Sequence, residues 1–198
     1  MEIKKYSPKE TAIFDGVMKL LQNGERLYAI KVQQIADAAG MGKGTLYEYF
    51  ASREAILANA LIYFMWGEIQ TLEAQVKKQK TFISKFEAAL DFAHSAMNSH
   101  ASGFSLITSA MHEEGMHKAL CEYANERIEL SERLFSLLDT IIECGKNSGE
   151  VANVTAQYAR MVSSGMLFTA AALCVNPNGG DWESIKSDAL QILKKSLE

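Results

Sequence analysis

Residues 38–50 read AAGMGKGTLYEYF, a run that crowds three glycines, a lysine and a threonine together. The same residue types build phosphate-binding loops. A Walker-type loop places Gly, four residues and then Gly-Lys-Ser/Thr between a strand and a helix. In this chain Gly42-Lys43 is followed by Gly44, and the position five before Gly42 is Asp37. A dinucleotide fingerprint opening at Gly40 needs a third glycine where Thr45 stands. The preceding residues have helical rather than strand-like periodicity, so both motifs lack their context. The nucleotide reading fails.

A helix-turn-helix fits the same residues. Ala36 is small enough for two helices to cross closely, and Gly40, four positions on, can take the left-handed turn conformation. Leu46, six further on, fills the space between the helices together with Ile35 and Phe50. The second helix then presents Lys43, Thr45, Tyr47 and Tyr49, a set of cation, hydroxyl and aromatic groups that can lie in a major groove. Glu48 repels phosphate, so it is expected to point away from the backbone or to meet a base such as cytosine.

The rest of the chain is consistent with an all-α protein of about nine helices. At 198 residues, 48% hydrophobic and 22% charged, with two prolines, it can bury a sizeable core. Ser7-Pro8-Lys9-Glu10 reads as a capping box opening a helix with core positions Ile13, Val17, Leu20 and Leu21. Short helices follow from about Val32 to Ala39 and from Lys43 to Phe50. Ser52 is placed to cap a long helix whose apolar stripe is Leu57, Leu61, Met65, Ile69, Leu72 and Val76; reaching Lys78, it spans roughly 40 Å. Further helices are expected over Phe82–Asn98, Gly103–Glu113, His117–Lys146, Val154–Val175 and Trp182–Leu197, with breaks at 145–149 and 176–180 and N-caps at Asn153 and Asp181. This organisation divides the chain into a compact helix-turn-helix domain, residues 1–51, and a domain of longer helices, residues 52–198.

Charge and cysteine usage bound the function class. The net charge is −4, but residues 1–58 carry eight Lys/Arg against seven Asp/Glu and the remainder twelve against seventeen. A small basic face on an acidic body is compatible with nucleic-acid binding. Three widely spaced cysteines suit reduced thiols, MEIKKYSPKE has no signal-peptide pattern, and the most apolar stretches fall short of the roughly 20 residues of a membrane span. A cytoplasmic location without membrane attachment is expected.

Residues 32–57, VQQIADAAGMGKGTLYEYFASREAIL, resemble the DNA-binding signature of the tetracycline-repressor (TetR) family. The resemblance is most specific at Lys43-Gly44-Thr45-Leu46-Tyr47, Tyr49-Phe50 and Ser52-Arg53-Glu54. It implies a homodimer that places the third helix of each subunit in the major groove of one half-site of an inverted-repeat DNA operator. By position, Gln33, Lys43, Thr45 and Tyr47 would lie near bases, while Tyr49 and Arg53 would hold phosphates. Two departures stand out: Lys31 and Gly42 occupy cap positions where the family often has Ser or Thr, and the segment from Gly24 to Val32 is about two residues longer than usual. The family also implies a small-molecule effector whose binding moves the DNA-binding heads apart, making the protein a repressor released from its operator.

Trp66, Phe86, Met97, Phe104, Met111, Met161 and Phe168 supply flexible and aromatic apolar groups suited to an adaptable, partly apolar effector pocket. Small residues in Val154–Val175, with Trp182–Leu197 beside them, suit a dimer interface through the last two helices. The alternative function is a helical-bundle, di-iron-like metal-binding protein. It rests on Asp91-x-x-His94 and Glu114-x-x-His117, which loosely match paired Glu-x-x-His motifs; His112 and His117 are spaced five apart, not the four of a zincin helix. No catalytic residues, metal ligands or cofactor are assigned, and the protein is read as a non-enzyme.

Overall fold

Ser7 closes the first turn of α1 (Pro8–Gln22) from both directions: its Oγ accepts the Glu10 N–H at 3.3 Å, and its own N–H donates to the Glu10 carboxylate at 2.7 Å. Proline at the first position needs no hydrogen bond there, so sequence and local structure agree. The computed structural model describes residues 6–99, 106, 110, 114–174, 176, 178 and 180–198. Among these, regular structure is helical throughout. After α1 come α2 (Val32–Ala39), α3 (Lys43–Tyr49), α4 (Arg53–Lys78), α5 (Phe82–Asn98), α6 (Glu114–Glu122), α7 (Ala124–Ser148), α8 (Ala156–Cys174) and α9 (Trp182–Leu197). A 3-10 turn, Leu27–Ala29, fills the long connection between α1 and α2.

The chain forms two compact units, Met1–Trp66 with His100–Arg127 and Gly67–Ser99 with Ile128–Glu198. The division falls inside α4. In the first unit, Ile13, Phe14, Val17, Ile35, Ala36, Leu46, Phe50, Ile56 and Leu57 share one core with Leu106, Met116 and Leu120. The helix-turn-helix therefore does not bury its apolar face alone. A Cβ on Gly16 would sit 3.1 Å from the Ala39 nitrogen and 3.3 Å from the Ile35 carbonyl, so the glycine lets α1 and α2 approach backbone to backbone. Asn59, 4% exposed, is matched by donating to the Ala55 carbonyl at 2.8 Å and the Tyr123 hydroxyl at 2.5 Å, as a buried amide requires.

In the second unit Leu72, Val76, Phe82, Phe86, Leu90, Ile141, Ile142, Ala159, Ala170, Leu193 and Leu197 belong to the core. Asp181 caps α9 by accepting the Ser184 N–H at 3.0 Å. Arg160 pairs with Asp139, and Arg133 with Glu73, both through two nitrogens.

Several expected boundaries shift. The single helix expected over His117–Lys146 is two, broken at Tyr123, whose hydroxyl is taken by Asn59. Gly145 does not end α7. It lies inside the helix, where only glycine fits since a Cβ would stand 2.5 Å from Val151 Cγ2 and 2.8 Å from Phe82 Cγ; the turn residue is Gly149, at φ 75. The helix expected from Val154 starts at Ala156, where Thr155 Oγ1 rather than Asn153 accepts the capping N–H, at 3.2 Å. Of the helix expected over Gly103–Glu113, Leu106 and Ala110 are helical and buried; its other residues lie outside the described ones.

Candidate nucleic-acid interface

Gly40 ends α2 in the left-handed conformation, φ 67 and ψ 32, and its N–H turns back to Ala36 and Asp37. That conformation strains any residue with a Cβ, so glycine here sets the angle between α2 and α3. Gly42 then caps α3 with extended backbone and no side chain. At the start of α2, the Lys31 N–H donates to Gln34 Oε1 at 2.8 Å. This is half of a capping box, made without a hydroxyl residue.

Leu46 and Phe50 are buried and fix which way α3 faces. At 100° per residue, Lys43 and Tyr47 form one row and Thr45 and Tyr49 a second. Between the rows lie Gly44 and Glu48, opposite the buried side. Lys43, Tyr47 and Tyr49 are exposed and Thr45 is half-buried. A Cβ on Gly44 would meet open space, so the first turn of this strip carries no side chain, while exposed Glu48 stands one turn on. Lys9 of α1 places its ammonium 5.9 Å from the Tyr49 ring centre, adding a cation beside the second row. Gln33 is exposed on α2 and donates to Asp37 at 2.8 Å.

Arg53, expected on phosphate, is engaged in this structure by the chain's own backbone and by Glu54. Its Nε donates to the Ile30 carbonyl at 2.6 Å, Nη2 to the Tyr28 and Leu27 carbonyls at 2.6 and 3.1 Å, and Nη1 to Glu54 at 2.9 Å. An arginine has five donors, and these bonds use all but one. Sequence reasoning missed this because the long α1–α2 connection gives no sign that its carbonyls turn toward α4. Desolvation pushes the Glu54 carboxyl upward, but hydrogen bonds from its own backbone, Arg53 and Ser52 outweigh this and hold it below the ordinary carboxylate value.

The remaining candidate residues scatter. Trp66 and Phe86 are buried, and Met97 is half-buried. Met161 and Phe168 stand on the outer face of α8, 65% and 73% exposed, so they do not line an interior. The reason is register: Ala159, Ser163 and Ala170 take the buried side of that helix. Phe104 and Met111 lie outside the described residues. Asp91 and His94, the first half of the metal alternative, are occupied by α9. The His94 ring stacks on Trp182 at 4.2 Å, and Asp91 accepts from Trp182 Nε1 and Lys186 Nζ at 3.0 and 3.1 Å. His117 faces Cys121 at 3.9 Å, and His112 lies outside the described residues.

A glycine-hinged pair of short helices, with a sealed inner side and an outer side of lysine, hydroxyls and tyrosines, defines a helix-turn-helix DNA-binding protein. Residues 27–60 match the family model for bacterial regulatory proteins of the tetR family, over the same segment that forms the helix-turn-helix. The fatty acid metabolism regulator protein of Bacillus subtilis (strain 168) is 23% identical over 198 residues, covering 98% of each chain. The fold is shared with transcriptional regulator FadR from Bacillus subtilis, solved with stearoyl-CoA, at TM-score 0.64 and 21% identity over 95% of this chain and 99% of that one. It is shared also with the fatty acid degradation regulator FadR from Bacillus halodurans, at TM-score 0.66 and 22% identity over 96% of each chain. Among the described residues no helix is long and apolar enough to cross a membrane.

Proposed function

We propose that the protein is a cytoplasmic, dimeric repressor that reads an inverted-repeat operator with residues 1–51 and is released by an effector bound within residues 52–198. The observation that carries this reading is the outer face of α3, with Lys43, Tyr47 and Tyr49 exposed beside half-buried Thr45, held over a core sealed by Leu46 and Phe50. The protein acts by binding and not by catalysis. Release follows from linkage: an effector that favours the DNA-incompetent arrangement lowers operator affinity by the factor by which operator lowers effector affinity. A fatty acyl-CoA is the effector class we favour, because similar proteins are regulators of fatty acid metabolism and one was solved with stearoyl-CoA.

Selection of bound sequences from a random DNA pool tests the reading. An enriched inverted repeat with half-sites about one helical turn apart or a multiple of it, and with steep salt dependence, is expected. Stearoyl-CoA added to that complex is then expected to release the DNA. No enrichment sinks the repressor reading; enrichment without release removes only the acyl-CoA assignment.

Dimerisation has a visible surface in α8. Tyr158, Met161, Gly165, Phe168 and Ala172 recur at steps of three and four, on the side opposite the buried Ala159, Ser163 and Ala170. Three of the five are large apolar side chains exposed by 42%, 65% and 73%, and on α9 Ile192 is exposed by 49%. A stripe of this kind marks a self-association surface. Phe168→Glu sets a charge in it without touching either core, so the variant is expected to sediment as a folded monomer and to lose operator binding. A variant that remains dimeric would move the interface elsewhere.

A further inference from the structure

We propose that Arg26 and Tyr28, on the 3-10 turn ahead of α2, form a contact to a DNA backbone phosphate outside the helix-turn-helix, with Arg53 as the residue that positions them. The proposal rests on the operator-binding reading and extends its footprint. Leu27 and Ile30 are buried, which pins the turn from inside. Arg53, the first residue of α4, grips the same turn from the other side through the carbonyls of Leu27, Tyr28 and Ile30. The turn is thereby tied to the first residue of the helix that follows α3.

What this fixed turn displays suits a phosphate. Tyr28 is 54% exposed, and Arg26 Nη1 donates to its hydroxyl at 2.8 Å, with the guanidinium 6.0 Å from the ring centre. The tyrosine oxygen accepts that bond, which leaves its own hydrogen to donate. Four of the five arginine N–H groups have no partner among the described residues. No carboxylate pairs with Arg26 among those residues, and neighbouring Glu25 is turned onto the Gln34 amide at 3.4 Å. Lys31, exposed, adds a second cation five residues after Arg26. An arginine held by a tyrosine on a braced turn loses little freedom when it meets an anion, and its planar fork matches phosphate oxygens.

Operator titrations over a range of salt test the proposal, with the enriched DNA as probe. Arg26→Ala is expected to weaken binding about tenfold and to flatten the slope of log affinity against log salt by about 0.9 per subunit. The preferred sequence is expected to stay the same, since phosphate contacts carry no base information. Arg26→Lys, which keeps the charge, retains the slope. Arg53→Gln alone is expected to reproduce the loss, and in the Arg26→Ala background to flatten the slope no further. Unchanged affinity and slope in Arg26→Ala overturns the contact, and a changed base preference makes Arg26 a base reader instead. Full additivity of the two changes means that Arg53 touches phosphate itself. A wild-type chain that enriches no operator removes the repressor reading and this proposal together.

Discussion

Lys43→Ala is expected to cost operator binding between about 30-fold and about ten-thousand-fold while leaving thermal unfolding unchanged. A lysine that meets a guanine edge in a good contact discriminates by about 1–3 kcal/mol. A dimer reading two half-sites loses that amount twice, about 2–6 kcal/mol, and each 1.4 kcal/mol is about tenfold. Lys43 is exposed at the first position of α3 and has no structural bond among the described residues, so the fold does not depend on it. Tyr47, one turn on and 46% exposed, is expected to behave alike on replacement by alanine. Full affinity for an unchanged sequence in both variants would remove the assignment of this row as the base-reading one.

Phe14→Ala is expected to destabilise the first unit by about 3–5 kcal/mol, a large part of the roughly 5–15 kcal/mol that holds a typical protein folded. The side chain is fully buried. Its ring centre lies 5.0 Å from that of Tyr6, 5.3 Å from Tyr63 and 5.7 Å from Phe50. It thus joins the start of α1, the end of α3 and the middle of α4, and the cavity left by its removal has three walls that cannot all collapse inward. Urea unfolding followed by fluorescence gives the loss, and DNA binding is expected to fall with it. A loss under about 1 kcal/mol would mean that the site relaxes around alanine and that the aromatic cluster is not what holds α3 in place.

The reading helix was legible from sequence because its requirements are local. Gly40 supplies the left-handed turn, Ala36 the close crossing, and Leu46 with Phe50 the buried side, all within fifteen positions. The capping box at Ser7 and the cap at Asp181 were legible for the same reason: a helix end is decided by residues three apart. Errors came where a distant residue decides. Gly145 reads as a breaker yet is helical, and glycine stands there because Phe82 and Val151 occupy the space where a side chain would go. Tyr123 reads as helix interior yet interrupts it, with its hydroxyl engaged by Asn59.

The amino-acid sequence by itself determined an all-helical chain, the helix-turn-helix and the side chains it presents, since hydrophobic period, glycine conformation and capping act over one or two turns of chain. Only the tertiary structure decided the roles of residues whose partners are remote in sequence. Arg53 is held by carbonyls 23 to 26 positions away, and Met161 and Phe168 face outward because α8 turns its small residues inward. No local rule says which carbonyls a guanidinium will find or which side of an apolar helix will be covered, because both depend on what packs beside it.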